Sequence, residues 1–157
     1  MNEKDSDKID CLEHRLIEKG CDVTELAVAF SEYLFLLLRD GRVRVDGSVR
    51  DVIEYSLTRS AKLLDVTVTD EEKRELRQKM WDLELRFRRL DDLTSNFARC
   101  AGNCLFDQAD WQQNNDGSDT PLYHYLHFLE LVIPGVTSEF LNYFKGRFGI
   151  LDEDSCV

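Results

Sequence analysis

The sequence contains little proline, no long apolar run and no excess of positive charge. Its 157 residues include two prolines, and the eight glycines lie mostly between segments of periodic hydrophobicity. Because both residue types interrupt helices, this pattern favours long helices joined by short loops. The longest apolar run, residues 33–38, is far shorter than the roughly 20 residues that a membrane-spanning helix needs.

The formal net charge of −11 makes nucleic acid a poor partner, because phosphate binding needs a cationic surface. The stretch 73–89 is an exception, since it contains seven Lys or Arg residues and three acidic residues. We interpret it either as a solvated helix face or as a basic rim that attracts acidic segments of a partner protein.

The five cysteines are an odd number without the spacing of a disulfide framework, and the chain begins with a polar, acidic segment. Both observations favour free thiols in a reducing compartment, which we expect to be the cytoplasm. Residues 151–157 are polar and acidic, so we expect no membrane anchor there. The final Ser-Cys-Val, residues 155–157, resembles a carboxyl-terminal ligand of PDZ-type domains.

A composition of 43% hydrophobic and 32% charged residues is typical of one globular domain. Hydrophobic periodicity predicts helices at residues 7–19, 23–40, 49–65, 69–91, 94–112, 121–133 and 137–145. Thr24 is the expected cap of the second helix, and Thr94 or Ser95 that of the fifth. We expect six to eight helices around one buried helix.

The helix predicted at 69–91 carries a single apolar stripe. Its members are Leu76, Met80, Leu83, Phe87 and Leu90. Such a stripe is either the core-facing side of a helix or the wall of a groove for an amphipathic partner helix. Periodicity alone does not choose between the two.

Enzyme signatures are missing from the sequence, which has no Gly-rich phosphate loop, no G-x-S-x-G elbow and no H-E-x-x-H motif. One set of residues could supply four zinc ligands, namely Cys100, Cys104, His124 and His127. The alternative is that they are core thiols and ordinary helix histidines. We expect a protein that binds other proteins, without catalysis and without a cofactor.

The tetrapeptide Asn96-Phe97-Ala98-Arg99 follows the helix predicted at 69–91. It resembles the first homology motif of the Bcl-2 family, which usually reads Asn-Trp-Gly-Arg at the start of the central helix. Phe97 and Ala98 replace the usual Trp and Gly. Lys62 replaces the Asp of the family's death motif, so this chain is not expected to act as a killer ligand.

The resemblance implies an all-α, Bcl-2-like helical bundle with a buried central helix. Residues 30–41 resemble the family's first helix, 57–64 its second helix and 134–144 its second homology motif. A single domain would span residues 1–157, with an extra amphipathic helix at 1–20 and a flexible acidic tail at 148–157. The compact length and short loops resemble virus-encoded members of the iridovirus or poxvirus type.

The resemblance also implies an anti-apoptotic function, in which an apolar groove sequesters the homology-3 helix of pro-apoptotic proteins. The groove would be lined by Leu64, Met80, Leu83, Phe87, Leu90, Asn96, Phe97, Ala98 and Arg99. Arg99 would receive the Asp of that ligand in a charge-assisted pair. The alternative for Arg99 is a salt bridge with Asp91 or Asp92.

Further expectations follow from this hypothesis. An exposed apolar groove predicts self-association into a homodimer, and the protein would reach mitochondria only through its partners. A second hypothesis keeps the fold, closes the groove and makes the protein a viral modulator of host immune signalling that binds adaptors through other surfaces. A third is a zinc-binding helical enzyme.

Overall fold

The computed structural model describes residues 3–65, 67–114 and 121–151 of the chain. Within these ranges the chain folds into eight α-helices and contains no strand. The helices are α1 (Glu3–Glu18), α2 (Val23–Arg39), α3 (Arg50–Ser60), α4 (Asp70–Phe87), α5 (Asp92–Asn103), α6 (Gln108–Asn114), α7 (Leu122–Val132) and α8 (Thr137–Phe148). The predicted all-helical fold class is confirmed.

Helix α2 is buried around most of its circumference. Eleven of its 17 residues are buried. The Phe30 ring stacks on Tyr125 of α7 at 4.2 Å between ring centroids, and it meets Phe140 of α8 edge-on at 6.1 Å. These aromatic contacts join α2, α7 and α8 in one core.

Aspartates cap α2 and α5. The carboxylates of Asp22 and Asp91 each accept a hydrogen bond from the backbone N–H three residues later, at 2.9 and 3.1 Å. An aspartate cap accepts a hydrogen bond from a backbone N–H that has no acceptor within the helix. It also places negative charge at the positive end of the helix dipole. The caps expected at Thr24 and at Thr94 or Ser95 are therefore wrong. Thr24 accepts a hydrogen bond from the first N–H of α6, and Ser95 donates one to a carbonyl of α4.

Several helices are shorter than predicted. The helix expected at 94–112 is two helices, because α5 ends at Asn103 and α6 begins at Gln108. Helix α4 ends at Phe87, since Arg89 adopts a left-handed φ of 74° that a continuing right-handed helix does not allow. Leu90 consequently lies outside the helix and is 79% exposed.

Helix α5 lies between its neighbours and packs against α2, α3, α4 and α7. Phe97 and Ala101 lie on its fully buried face. The opposite face is half-buried and carries Asn96, Arg99, Gly102 and Asn103. Arg99, Gly102 and Asn103 of this half-buried strip form the floor of the site described below.

An ion-pair network fixes α6 against α4. The Lys73 ammonium, whose side chain is 6% exposed, donates to the carboxylates of Asp107 and Asp110, and Arg77 donates to Asp110 at 3.2 Å. Burial alone would raise the pKa of Asp107, but hydrogen bonds from Lys73 and from the Asp110 amide outweigh it and lower that pKa. Burial would likewise lower the pKa of Lys73, and the two carboxylates raise it.

The two ends of the described chain pack together through α1, α7 and α8. The Lys19 ammonium donates to the carbonyls of Phe148 and Gly149 at 2.6 and 3.3 Å, which places a cation at the negative end of the α8 dipole. Helix α8 extends three residues beyond its predicted end, and Ile150 is buried. Leu151 is exposed, and residues 152–157 of the predicted tail, including the Ser-Cys-Val tripeptide at 155–157, lie outside the described residues.

The cysteines differ in state. Cys21, Cys100 and Cys104 carry free thiols, whereas Cys11 is disulfide-bonded, so the expectation of free thiols is wrong for Cys11. Burial raises the pKa of Cys100 well above its usual value and that of Cys104 to about 12. Both thiols therefore remain protonated and behave as small apolar side chains.

Candidate functional site

A surface cleft of about 590 Å³ lies between α4 and α5. Its lining consists of Arg74, Arg77, Gln78, Met80, Trp81, Glu84, Ala98, Arg99, Gly102, Asn103 and Phe106. On α4 the lining residues run from Arg74 to Glu84, a span of about 15 Å at the rise of an α-helix. The cleft is therefore as long as two to three turns of a helix.

The cleft has an apolar and aromatic interior. Trp81 is 45% exposed at one wall, and Phe106 lines the end beyond α5. On the floor, a Cβ added at Gly102 would lie 3.4 Å from the Cβ of Met80. The glycine thus keeps the floor low where α5 faces Met80 of α4.

Arg99 stands on the cleft floor and is already paired. Its Nη1 lies 3.3 and 3.4 Å from the two carboxylate oxygens of Glu84, and its guanidinium lies 4.7 Å from the centroid of the Phe128 ring. Arg88 reaches the same carboxylate at 3.5 Å. The Glu84 side chain is 11% exposed and that of Arg99 36%, so this pair is partly withdrawn from water.

The alternative pairing predicted for Arg99, with Asp91 or Asp92, is wrong. Asp91 caps α5, and the Asp92 carboxylate accepts the backbone N–H of Arg89 at 3.2 Å. Both aspartates are thus engaged at the helix start, one turn or more before Arg99.

Two further arginines line the α4 wall and differ in their partners. Arg77 donates to Asp110 and to the carbonyl of Leu105, both at 3.2 Å, and lies over the Phe106 ring. Arg74 is exposed and makes no ion pair with any residue in the described ranges. Arg74 is therefore the cation in the cleft lining that is open to an acidic partner.

A smaller recess of about 200 Å³ continues from the cleft towards α6 and α7. It is lined by Arg99, Asn103, Phe106, Trp111, Pro121, His124 and Tyr125. The Asn103 amide nitrogen is buried there without a hydrogen-bond partner among the described residues. Burial lowers the pKa of His124, and the charges of His127 and Arg99 lower it further, so His124 is neutral at pH 7.

The structure brings only some of the nine predicted groove residues together. Met80, Ala98 and Arg99 line the cleft. Leu83, Phe87 and Phe97 belong to the hydrophobic core, Leu64 and Leu90 are exposed, and Asn96 is half-buried outside the lining. The core-facing interpretation of the stripe is confirmed for its four members within α4, of which Met80 also reaches the cleft.

Sequence reasoning missed Trp81, Glu84 and Phe106. Trp81 and Glu84 lie three residues apart on a second stripe of α4, beside the core stripe. A tryptophan among charged residues was a signal for that stripe. Glu84 gave none, because its partner Arg99 is 15 residues away and the contact depends on how α4 packs on α5.

A second cleft, of about 480 Å³, lies on another face between α2, α3 and α8. It is lined by Glu32, Phe35, Leu36, Leu57, Thr58, Ala61, Lys62 and Tyr143. Leu36 is 49% exposed, and Glu32 is paired with Arg147 at 3.2 Å.

The four candidate zinc ligands do not form a metal site. Within the described ranges, no group of three or more His, Cys, Asp or Glu side chains is placed to hold a metal ion. Cys100 and Cys104 are fully buried, while His124 packs edge-on against Trp111 at 5.4 Å.

The fold and the site define a class: an all-helical protein with an arginine-containing apolar cleft on its surface. No protein-family model matches the chain, and neither the curated proteins nor the solved structures give a match. Across the described ranges, none of the helices has both the length and the apolar character needed to cross a membrane.

Proposed function

We propose that this protein binds an amphipathic helix of a partner protein in the cleft between α4 and α5. The observation that carries the proposal is the cleft itself, which combines helix length, apolar lining residues such as Met80 and Ala98, and exposed Trp81 with arginines at its wall and floor. Partner helices bind such grooves through apolar anchors one turn apart, and tryptophan and arginine are frequent centres of binding energy.

The partner class we propose is the homology-3 helix of pro-apoptotic proteins, whose sequestration blocks cell death. The support is the tetrapeptide 96–99, which lies across the middle of α5 with Arg99 in the cleft. The proposal includes action in the cytoplasm of an infected host cell, with recruitment to mitochondria through the bound partner. It also includes self-association through the same face when no partner is present.

Calorimetric titration with a panel of homology-3 peptides tests this function. We expect one-to-one binding of at least one peptide and a loss of tenfold or more in affinity for Arg99→Ala, because truncation removes the guanidinium from the cleft lining and leaves the Glu84 carboxylate with only Arg88 among the described residues to balance it against the ligand. Arg44→Ala is the matched control, since Arg44 is exposed, lies outside the cleft and makes no ion pair within the described chain. Absence of heat with every peptide, for protein shown to be folded, would retire the proposal.

The second cleft favours a second candidate function, namely binding of a host signalling adaptor through the α2, α3 and α8 face. Its apolar lining and the exposed Leu36 suit a protein contact. This function becomes the leading one if no peptide binds the α4–α5 cleft.

A further inference from the structure

At the centre of the α4–α5 cleft, the Arg99 guanidinium is paired with a carboxylate of the protein itself before any ligand arrives. Both carboxylate oxygens of Glu84 lie within 3.4 Å of the Arg99 guanidinium. A carboxylate brought to Arg99 by a partner would therefore meet a second carboxylate at close range. Electrostatic repulsion between two carboxylates is stronger where water is partly excluded, and the Glu84 side chain is only 11% exposed.

Glu84 cannot easily move aside. Arg88 holds the same carboxylate from the next turn of α4 at 3.5 Å. The backbone carbonyl of Glu84 accepts a hydrogen bond from the buried Ser95 hydroxyl at 2.7 Å, which fixes the spacing of α4 and α5 at this level. Arg99 is held from its other side by the Phe128 ring.

From this arrangement we infer that Glu84 determines the charge specificity of the cleft: the bound helix places an uncharged residue against Arg99, and a carboxylate there is disfavoured. The inference rests on the proposed helix-binding function. It differs from the expectation of a ligand Asp paired with Arg99, because Glu84 already takes that position. Arg99 then contributes through its stacked, hydrogen-bonded guanidinium, while the open cation of the lining is Arg74.

The test uses the tightest-binding homology-3 peptide and the same peptide with its central Asp replaced by Asn. The protein is titrated as wild type, Glu84→Gln and Glu75→Gln. Glutamine removes the charge and keeps one hydrogen-bond acceptor for Arg99, while the other carboxylate oxygen is replaced by an NH2 donor. Glu75→Gln is the matched control, since Glu75 is exposed on the same helix and makes no ion pair among the described residues.

We expect the wild type and Glu75→Gln to bind the Asn peptide at least as tightly as the Asp peptide. Glu84→Gln should bind the Asp peptide about tenfold more tightly than wild type does, and adding Arg99→Ala should abolish that gain. A wild-type preference for the Asp peptide, or no gain in Glu84→Gln, overturns the inference while leaving helix binding intact. No binding of either peptide to any folded variant overturns the proposed function and the inference with it.

Discussion

Phe97 and Arg99 lie two residues apart on α5 and face opposite sides of it. Phe97 is fully buried in the core, whereas the Arg99 side chain is 36% exposed on the cleft floor. The 100° rotation per residue of an α-helix accounts for the difference, because positions 97 and 101 share one face and positions 99 and 103 another. The tetrapeptide 96–99, which the sequence suggested as one binding unit, therefore contains one residue that packs in the core, Phe97, and one that lines the cleft, Arg99.

This division predicts different effects for two of the expected groove residues. Phe97→Ala should lower the free energy of unfolding by about 3–5 kcal/mol, since it leaves a large cavity in the core. Leu90→Ala should change it by no more than about 0.5 kcal/mol, because Leu90 is 79% exposed. Chemical denaturation of both variants measures these values. Similar losses for the two would contradict the burial described.

At the residue scale, the sequence identified the functional arginine, but it did not predict which residue pairs with that arginine. Arg99 was found from the tetrapeptide, and its position on the face of α5 opposite Phe97 follows from helix periodicity. Its partner was not found, since the sequence offered Asp91 and Asp92 as near neighbours and Glu84 as a distant one. Tertiary packing of α4 on α5 decided the pairing.

Helix α4 carries two stripes with different roles. The core stripe was evident because it is apolar throughout, while the cleft stripe mixes Trp81 with charged residues and does not stand out by periodicity. The presence of the helices was predictable for the same reason, because their apolar residues recur at helical spacing. Helix ends were less so, because the left-handed Arg89 is not a glycine, and Gly102 lies inside α5 one residue before its end.

The α4–α6 network predicts how stability depends on pH. The lowered pKa of Asp107 means that its ion pair with Lys73 stabilises the fold above the unfolded pKa, about 4, and that this contribution is lost as pH falls through the folded value. Asp107→Asn should cost about 1–3 kcal/mol at pH 7, and the difference from wild type should shrink below about pH 4.

Denaturation measured from pH 2 to 8 tests this prediction, with Glu75→Gln as the control for loss of one exposed acidic charge on α4. The control should follow the wild-type curve. A cost of Asp107→Asn that stays constant down to pH 2 would show that Asp107 acts through packing rather than through its charge.

At the scale of the whole molecule, the all-helical class followed from periodicity and the scarcity of proline, but the cleft did not. The cleft depends on how α4 packs on α5, and the lack of a side chain at Gly102, which faces Met80, leaves space on its floor. The basic stretch 73–89 is divided by this packing. Lys73 and Arg77 form ion pairs with Asp107 and Asp110 of the same chain. Arg74 remains exposed in the cleft lining of an otherwise acidic protein.

The most direct measurement is calorimetric titration of the tightest-binding homology-3 peptide into Gly102→Leu. A leucine at this position fills the cleft floor against Met80 without changing charge, so we predict a loss of at least tenfold in affinity. Gly146→Leu, where the added side chain meets open space on α8, should bind like wild type. Unchanged affinity in folded Gly102→Leu would contradict the account, because the peptide would then be bound elsewhere than between α4 and α5.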